Sequence, residues 1–173
     1  MTTPPEGQAD ETTPITFRRP TEADYAYIID RVDEWWGGRR LRGLLPRLWF
    51  QHFTETSWIA ERADGRIVGF LVGFISPEQP GTAYVHMIGT DPNRRHRGLG
   101  RSLYEQFFDD VRARGIHEVK AVTWPGNRVS VNFHRAIGFR VDDGPGTTSI
   151  YGTPAHADYD GDGEDRVVFI REI

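Results

Sequence analysis

Cysteine is absent from the 173 residues of this chain. That excludes a disulfide framework, a thiol nucleophile and a thiolate metal site, and fits a reducing cytoplasm. Lysine is nearly absent: Lys120 stands alone against 20 arginines. The arginine fork suits bidentate phosphate contacts, though genome composition can produce the same bias. There is no surplus of basic charge. A net charge of −4 argues against the broad basic footprint of a general nucleic-acid binder. Long hydrophobic runs are also missing. The longest, Ile67 to Ile75, is broken by Gly69 and Gly73 and is too short for a bilayer. Residues 1–14 are polar and lack the apolar segment of a secretion signal. Their Thr, Pro and acidic content reads as a disordered tail. One domain is expected over residues 15–173.

What the chain does have is a dense local cluster of charge. Asn93-Arg94-Arg95-His96-Arg97-Gly98-Leu99-Gly100-Arg101 sets four arginines around a Gly-x-Gly turn. Leu99, Leu103, Phe107 and Val111 follow at i, i+4, i+8 and i+12, which predicts a helix from the glycine turn to about Arg114. The first N–H groups of such a helix lack intrahelical partners. With the positive end of the helix dipole, they make a seat for a polyanion, most simply a pyrophosphate. Glycine lets that group approach the backbone. The run is not a P-loop, since no Gly-Lys-Ser/Thr follows, and it lacks the third glycine of a dinucleotide fingerprint.

The remaining elements follow from periodicity and punctuation. Ile15 to Arg18 reads as a strand. Thr21-Glu22-Ala23-Asp24 resembles a capping box with Asp at its last position, and Tyr25, Ile28, Ile29, Val32 and Trp36 trace one helix face up to Gly37-Gly38. A shorter helix is expected around Pro46 to Phe53. Strands are expected at Trp58–Glu61, Ile67–Ile75, Ala83–Thr90, His117–Trp124, Phe139–Val141 and Arg166–Ile170, with a helix over Asn127–Ile137. Residues 142–165, rich in Gly and Asp, read as one long loop.

Asn127-x-x-Ser130-x-x-Phe133-His134-x-x-x-Gly138-Phe139 is the second motif. Asn127, Ser130 and His134 share a helix face, and Asn127 suits an N-cap. This motif, the arginine–glycine run and the opening Phe17-Arg18-Arg19-Pro20-Thr21-x-x-Asp24 resemble the GCN5-related N-acetyltransferase (GNAT) family over nearly all of residues 15–173. The resemblance implies an α/β fold with a mixed, V-splayed sheet of about seven strands flanked by about four helices. It also implies acetyl-CoA as cosubstrate, held between the fourth and fifth strands. Backbone groups of Arg95, His96, Arg97, Gly98, Leu99, Gly100 and Arg101 would hold the pyrophosphate, with Arg94, Arg95 and Arg97 in reach of phosphate. Ile88, Gly89 and Thr90 would offer backbone to the pantetheine and the acetyl carbonyl. Asn127 would contact pantetheine from the other arm. Gly89 is the expected site of the strand bulge that accompanies the splay.

Acetyl transfer to an amine needs a base, because an alkylamine is mostly protonated at neutral pH. His86, on the fourth strand with Tyr84 and Ile88 expected on its face, is the candidate base; the alternative is a half-buried histidine bonded to a neighbour. His134 stands where the family usually has a tyrosine acid. It is a candidate acid for the departing thiolate, a CoA contact, or a structural residue. The acceptor is an unidentified amine. Trp35, Trp36, Arg39, Arg40 and Arg42 are candidates to line its site, or else simply pack the first helices. Asp158-x-Asp160-x-Asp162-Gly163 begins like a calcium loop, but Phe169 occupies the position of the required bidentate Glu, so no metal is expected. The reading is a cytoplasmic acyl-CoA N-acyltransferase acting by direct attack in a ternary complex, without nucleic-acid or membrane partners and with a homodimer open. The alternatives are a non-catalytic acetyl-CoA-binding module and a nucleotide-binding regulator.

Overall fold

A computed structural model describes residues 14–95 and 98–173. The expected tail, except Pro14, lies outside the described residues, as do His96 and Arg97. The strands are β1 (Ile15–Arg18), β2 (Trp58–Arg62), β3 (Ile67–Ile75), β4 (Thr82–Thr90), β5 (Glu118–Thr123), β6 (Arg140–Val141), β7 (Thr147–Ile150), β8 (Thr153–His156) and β9 (Val167–Glu172). The helices are α1 (Asp24–Trp35), α2 (Trp49–His52), α3 (Leu99–Ala113) and α4 (Arg128–Ala136). Seven strands form one sheet in the order β1-β2-β3-β4-β5-β9-β6. Among the described residues, only β4 and β5 pair in parallel.

Each face of the sheet carries its own core. Leu99, Leu103, Phe107 and Val111 of α3 are all buried, as their spacing predicts, against Val68, Leu71, Val85, Val119 and Phe169. The other face packs Ile28, Val32 and Trp35 of α1, with Trp49 and Phe50 of α2, onto Ile59, Phe70, Val72 and Met87. Gly73 lets Phe107 reach the sheet: a Cβ there would sit 2.7 Å from the Phe107 ring and 2.8 Å from the Tyr84 carbonyl.

Asp24 joins β1 to α1. Its carboxylate accepts the Thr21 N–H at 2.7 Å and a fork of two Arg18 bonds, each 2.8 Å. Arg18 also reaches Glu61 on β2. Burial alone would raise the Asp24 carboxyl, but the Arg18 and Thr21 donors outweigh it and hold the group below the ordinary aspartate range. Asp24 thus makes one arm of the expected capping box.

Two expectations change. The second helix shrinks to the single turn Trp49–His52, bracketed by 3-10 turns at Arg42–Leu44 and Thr54–Thr56. The expected loop of residues 142–165 contains the β7–β8 hairpin, which joins the sheet through a bridge between His156 and Arg166. Its strands are short, and Pro154 within β8 breaks the strand signal. Gly73→Ala should lower unfolding stability by about 1–3 kcal/mol through overpacking against Phe107; urea denaturation measures it, and an unchanged midpoint would refute this packing account.

Candidate active site

The parallel ladder between β4 and β5 runs from Thr82–Glu118 to Val85–Ala121 and stops. Neither strand ends there. Met87 to Thr90 continue to pair with β3, while Val122 and Thr123 continue to pair with β9. The sheet therefore opens into two arms with a cleft between them.

A bulge accompanies the parting. Met87 pairs with Val72 and Val85 with Gly73, which leaves His86 as the extra residue. His86 stacks on Trp49 and Met87 joins the α1-side core, so consecutive side chains point the same way. The alternation resets, and Ile88 packs on the opposite core. The bulge is thus at His86 and not at Gly89, and His86 shares its face with Tyr84 but not with Ile88. Gly89 stays in register with Phe70. Its missing side chain makes room for the Trp36 ring, which a Cβ would strike.

His86 is held by two contacts. Its ring stacks on Trp49 at 4.4 Å and 12°. Its Nε2 lies 2.6 Å from the Leu44 carbonyl oxygen. A carbonyl only accepts, so Nε2 carries the hydrogen and Nδ1 keeps its lone pair.

The β4–α3 connection follows Thr90, at the open end of the β4 arm. Asp91 caps the 3-10 turn Pro92–Arg94 by accepting the Asn93 N–H at 2.9 Å. Gly98 caps α3 at φ +77°, a left-handed conformation that requires glycine, and no side chain caps the helix. Gly100 plays a different part: a Cβ there would press on Phe133 at 3.1 Å. The arginines are largely committed to structure. Arg94 is buried beside Ile15, Phe17 and Leu99 and does not reach outward as expected. Arg95 donates to the Trp35 carbonyl and Arg101 to the Ala136 carbonyl.

On the opposite arm, Asn127 is the N-cap of α4. Its Oδ1 accepts the Ser130 N–H at 3.2 Å and its Nδ2 donates to Thr123 Oγ1 at 3.2 Å. His134 lies one helix turn beyond Ser130 and is 4% exposed. Its Nδ1 is 2.8 Å from the Ser130 carbonyl, which fixes the hydrogen on Nδ1. Nε2 then accepts from the Tyr104 hydroxyl at 2.8 Å. The ring stacks on Phe169 at 4.2 Å. Burial pushes the His134 pKa down to about 4, against a smaller opposing effect of the Ser130 hydrogen bond, and pushes the Tyr104 phenol up. Both groups are neutral at pH 7. The Tyr104 partnership escaped the sequence reading, although a tyrosine beside Leu103 on a buried helix face needs a hydrogen-bond partner.

The acceptor candidates divide. Trp35 is buried and stacks on Phe70. Arg42 pairs with Asp30 at 3.0 Å. Trp36 lies against the β4 arm, and Arg39 lies over the Trp124 ring at 6.0 Å. Trp124 and Tyr151 were not anticipated. In the acidic loop, Asp158 accepts the Gly163 N–H and Asp160 pairs with Arg166. No helix among the described residues is long and apolar enough to cross a membrane.

The comparisons bear on this cleft. A curated relative, L-2,4-diaminobutyric acid acetyltransferase of Nocardia farcinica, is 34% identical over 93 residues, 54% of this chain and 48% of the relative. The chain spans about half the length of the curated relatives it matches. Among solved structures, diaminobutyrate acetyltransferase EctA from Paenibacillus lautus, in complex with its substrate and coenzyme A, superposes with a TM-score of 0.62 at 22% identity, covering 91% of this chain and 95% of that one. Ard1 from Thermoplasma volcanium gives 0.71 at 18% identity, covering 92% and 97%. These structural likenesses establish the fold. Residues 19–139 match the acetyltransferase (GNAT) family, and the chain belongs to that family.

Proposed function

We propose that this protein transfers the acetyl group of acetyl-CoA to an amine by direct attack within a ternary complex. The observation that carries the reading is the parting of β4 and β5 beyond Val85–Ala121, together with a start of α3 that no side chain caps. The open β4 edge from Met87 to Thr90 offers backbone groups to an extended amide chain such as pantetheine, with Ile88, Gly89 and Thr90 nearest the thioester end. The N–H groups of Gly98, Leu99, Gly100 and Arg101 offer a seat to the pyrophosphate. Because Arg94, Arg95 and Arg101 are engaged elsewhere, backbone amides and the helix dipole carry that contact in this reading. Arg95 contributes by fixing the loop to the end of α1. His96 and Arg97 remain candidates from the sequence alone. Asn127 shapes the other wall.

His86 is the proposed base. The Leu44 carbonyl holds its hydrogen on Nε2, so Nδ1 is the nitrogen that accepts the proton leaving the amine. The amine then attacks the thioester carbonyl, a C–N bond forms and the C–S bond breaks. The nitrogen sheds a second proton as the C–N bond forms; the departing thiolate takes up one proton, directly or through water, and the other passes from His86 to solvent, which returns the ring to its neutral form. His134 fits a structural role better than that of an acid. Its one hydrogen is given to Ser130, it is neutral, and its other nitrogen is occupied by Tyr104. The non-catalytic binding module is disfavoured because the curated relatives are named as acetyltransferases.

His86→Ala should lower kcat for amine acetylation at least tenfold while the Kd for coenzyme A stays within twofold; unchanged turnover would remove the base assignment. His134→Phe orphans the Tyr104 hydroxyl and should cost about 1–3 kcal/mol of stability, with kcat of the folded enzyme within threefold of wild type. A tenfold fall in kcat at unchanged Tm would return His134 to the acid role. His134 also predicts an acid limb of stability. Its folded pKa of about 4 lies below the ordinary 6.5, so the unfolded chain binds the extra proton. The stabilisation is complete above about pH 6.5 and is lost as pH falls through about 4, on the order of 3 kcal/mol in all. Tm profiles should therefore fall more steeply over that window for wild type than for His134→Phe; parallel profiles would contradict the assignment.

A further inference from the structure

Three exposed side chains from separate segments meet at the mouth of the cleft. Trp124 directly follows β5 on one arm. Arg39 comes from the turn after α1, whose Trp36 lies against Gly89 on the other arm. Tyr151 tips the β7–β8 hairpin at φ +50°, a conformation uncommon for a side chain of its size. The Arg39 guanidinium carbon is 6.0 Å from the Trp124 ring centroid, and Tyr151 meets the same ring at 5.7 Å and 63°. Trp124 is 47% and Tyr151 62% exposed, so two large aromatic rings face solvent beside the cleft. Gly126 accommodates the folded-back indole, since a Cβ there would strike the ring. Arg39 has no carboxylate partner among the described residues, whereas nearby Arg42 is paired with Asp30.

Given the transferase reading on which this rests, we infer that Arg39, Trp124 and Tyr151 form the subsite that selects the acceptor, and that the acceptor is an amine carrying both a carboxylate and a flat apolar body. The guanidinium supplies a bidentate partner for the carboxylate. The exposed indole, braced edge-on by Tyr151, supplies a face for an aromatic ring. The same geometry works against a diamine whose second ammonium lies here, because Arg39 already occupies the cation position over Trp124 and like charges repel. Arg39 and Trp124 come from the two arms, so an acceptor held by both bridges the open end of the cleft whose parting begins at His86.

The test compares L-tryptophan, tryptamine and L-2,4-diaminobutyric acid as acceptors for the full chain, with thiol release from acetyl-CoA as readout. Wild type should favour L-tryptophan over tryptamine at least tenfold in kcat/KM. Arg39→Gln should collapse that ratio to within threefold, and Trp124→Ala should lower kcat/KM for L-tryptophan at least tenfold. Both residues are exposed, so Tm and the calorimetric Kd for coenzyme A should stay at wild-type values. Acetylation of diaminobutyric acid alone, or ratios unmoved by both variants, overturns the subsite and leaves the transferase reading standing. No thiol release with any of the three, while coenzyme A binds, overturns both.

Discussion

The end of the β4–β5 ladder is the constraint on which the rest of the structure depends. Two strands that pair in parallel for four residues then part, while each keeps its other neighbour. The bulge at His86 makes this possible. One unpaired residue bends the strand, resets its alternation and turns two consecutive side chains toward α1 and α2. The cleft, the place of His86 and the transfer of Ile88 to the opposite core are all consequences of that one insertion.

The cleft is stabilised from behind by contacts that tolerate little change. Phe107 sits where Gly73 has no side chain, Trp36 where Gly89 has none, and Phe133 beside Gly100. These glycines therefore serve packing, while Gly98 alone in the cradle is required for its backbone angle. The described arginines of the arginine-rich run are equally structural. Arg95 ties the loop to α1 and Arg101 ties α3 to α4. Charge that reads as a phosphate cluster is spent at Arg95 and Arg101 on bracing the neighbouring helices, while the start of α3 remains available.

Much of this was legible from local pattern. The α3 stripe, the α1 face and the Asn127 cap depend on residues within a few turns of each other, and short-range spacing reports them faithfully. What was not legible depends on partners far along the chain. The bulge position is set by register against β3, so Gly89 drew the expectation while His86 carries the insertion. The β7–β8 hairpin hid behind Pro154 and short strands. The partner of the His134 Nε2 is Tyr104, 30 residues away, and the contact of Arg39 with Trp124 exists only once the arms are assembled. A histidine in the second motif suggested proton transfer; the buried partners on both ring nitrogens point to support instead.

On this proposal, coenzyme A binds where β4 and β5 part. The most direct measurement is a coenzyme A titration of the 15N-labelled protein followed by amide chemical shifts. The largest changes are expected at Met87 to Thr90, Val122, Thr123 and Gly98 to Arg101, on both arms and at the helix start together. Saturable binding that leaves those amides unmoved, and instead shifts the polar cavity beside Tyr27, Arg31 and Asp64, would contradict it.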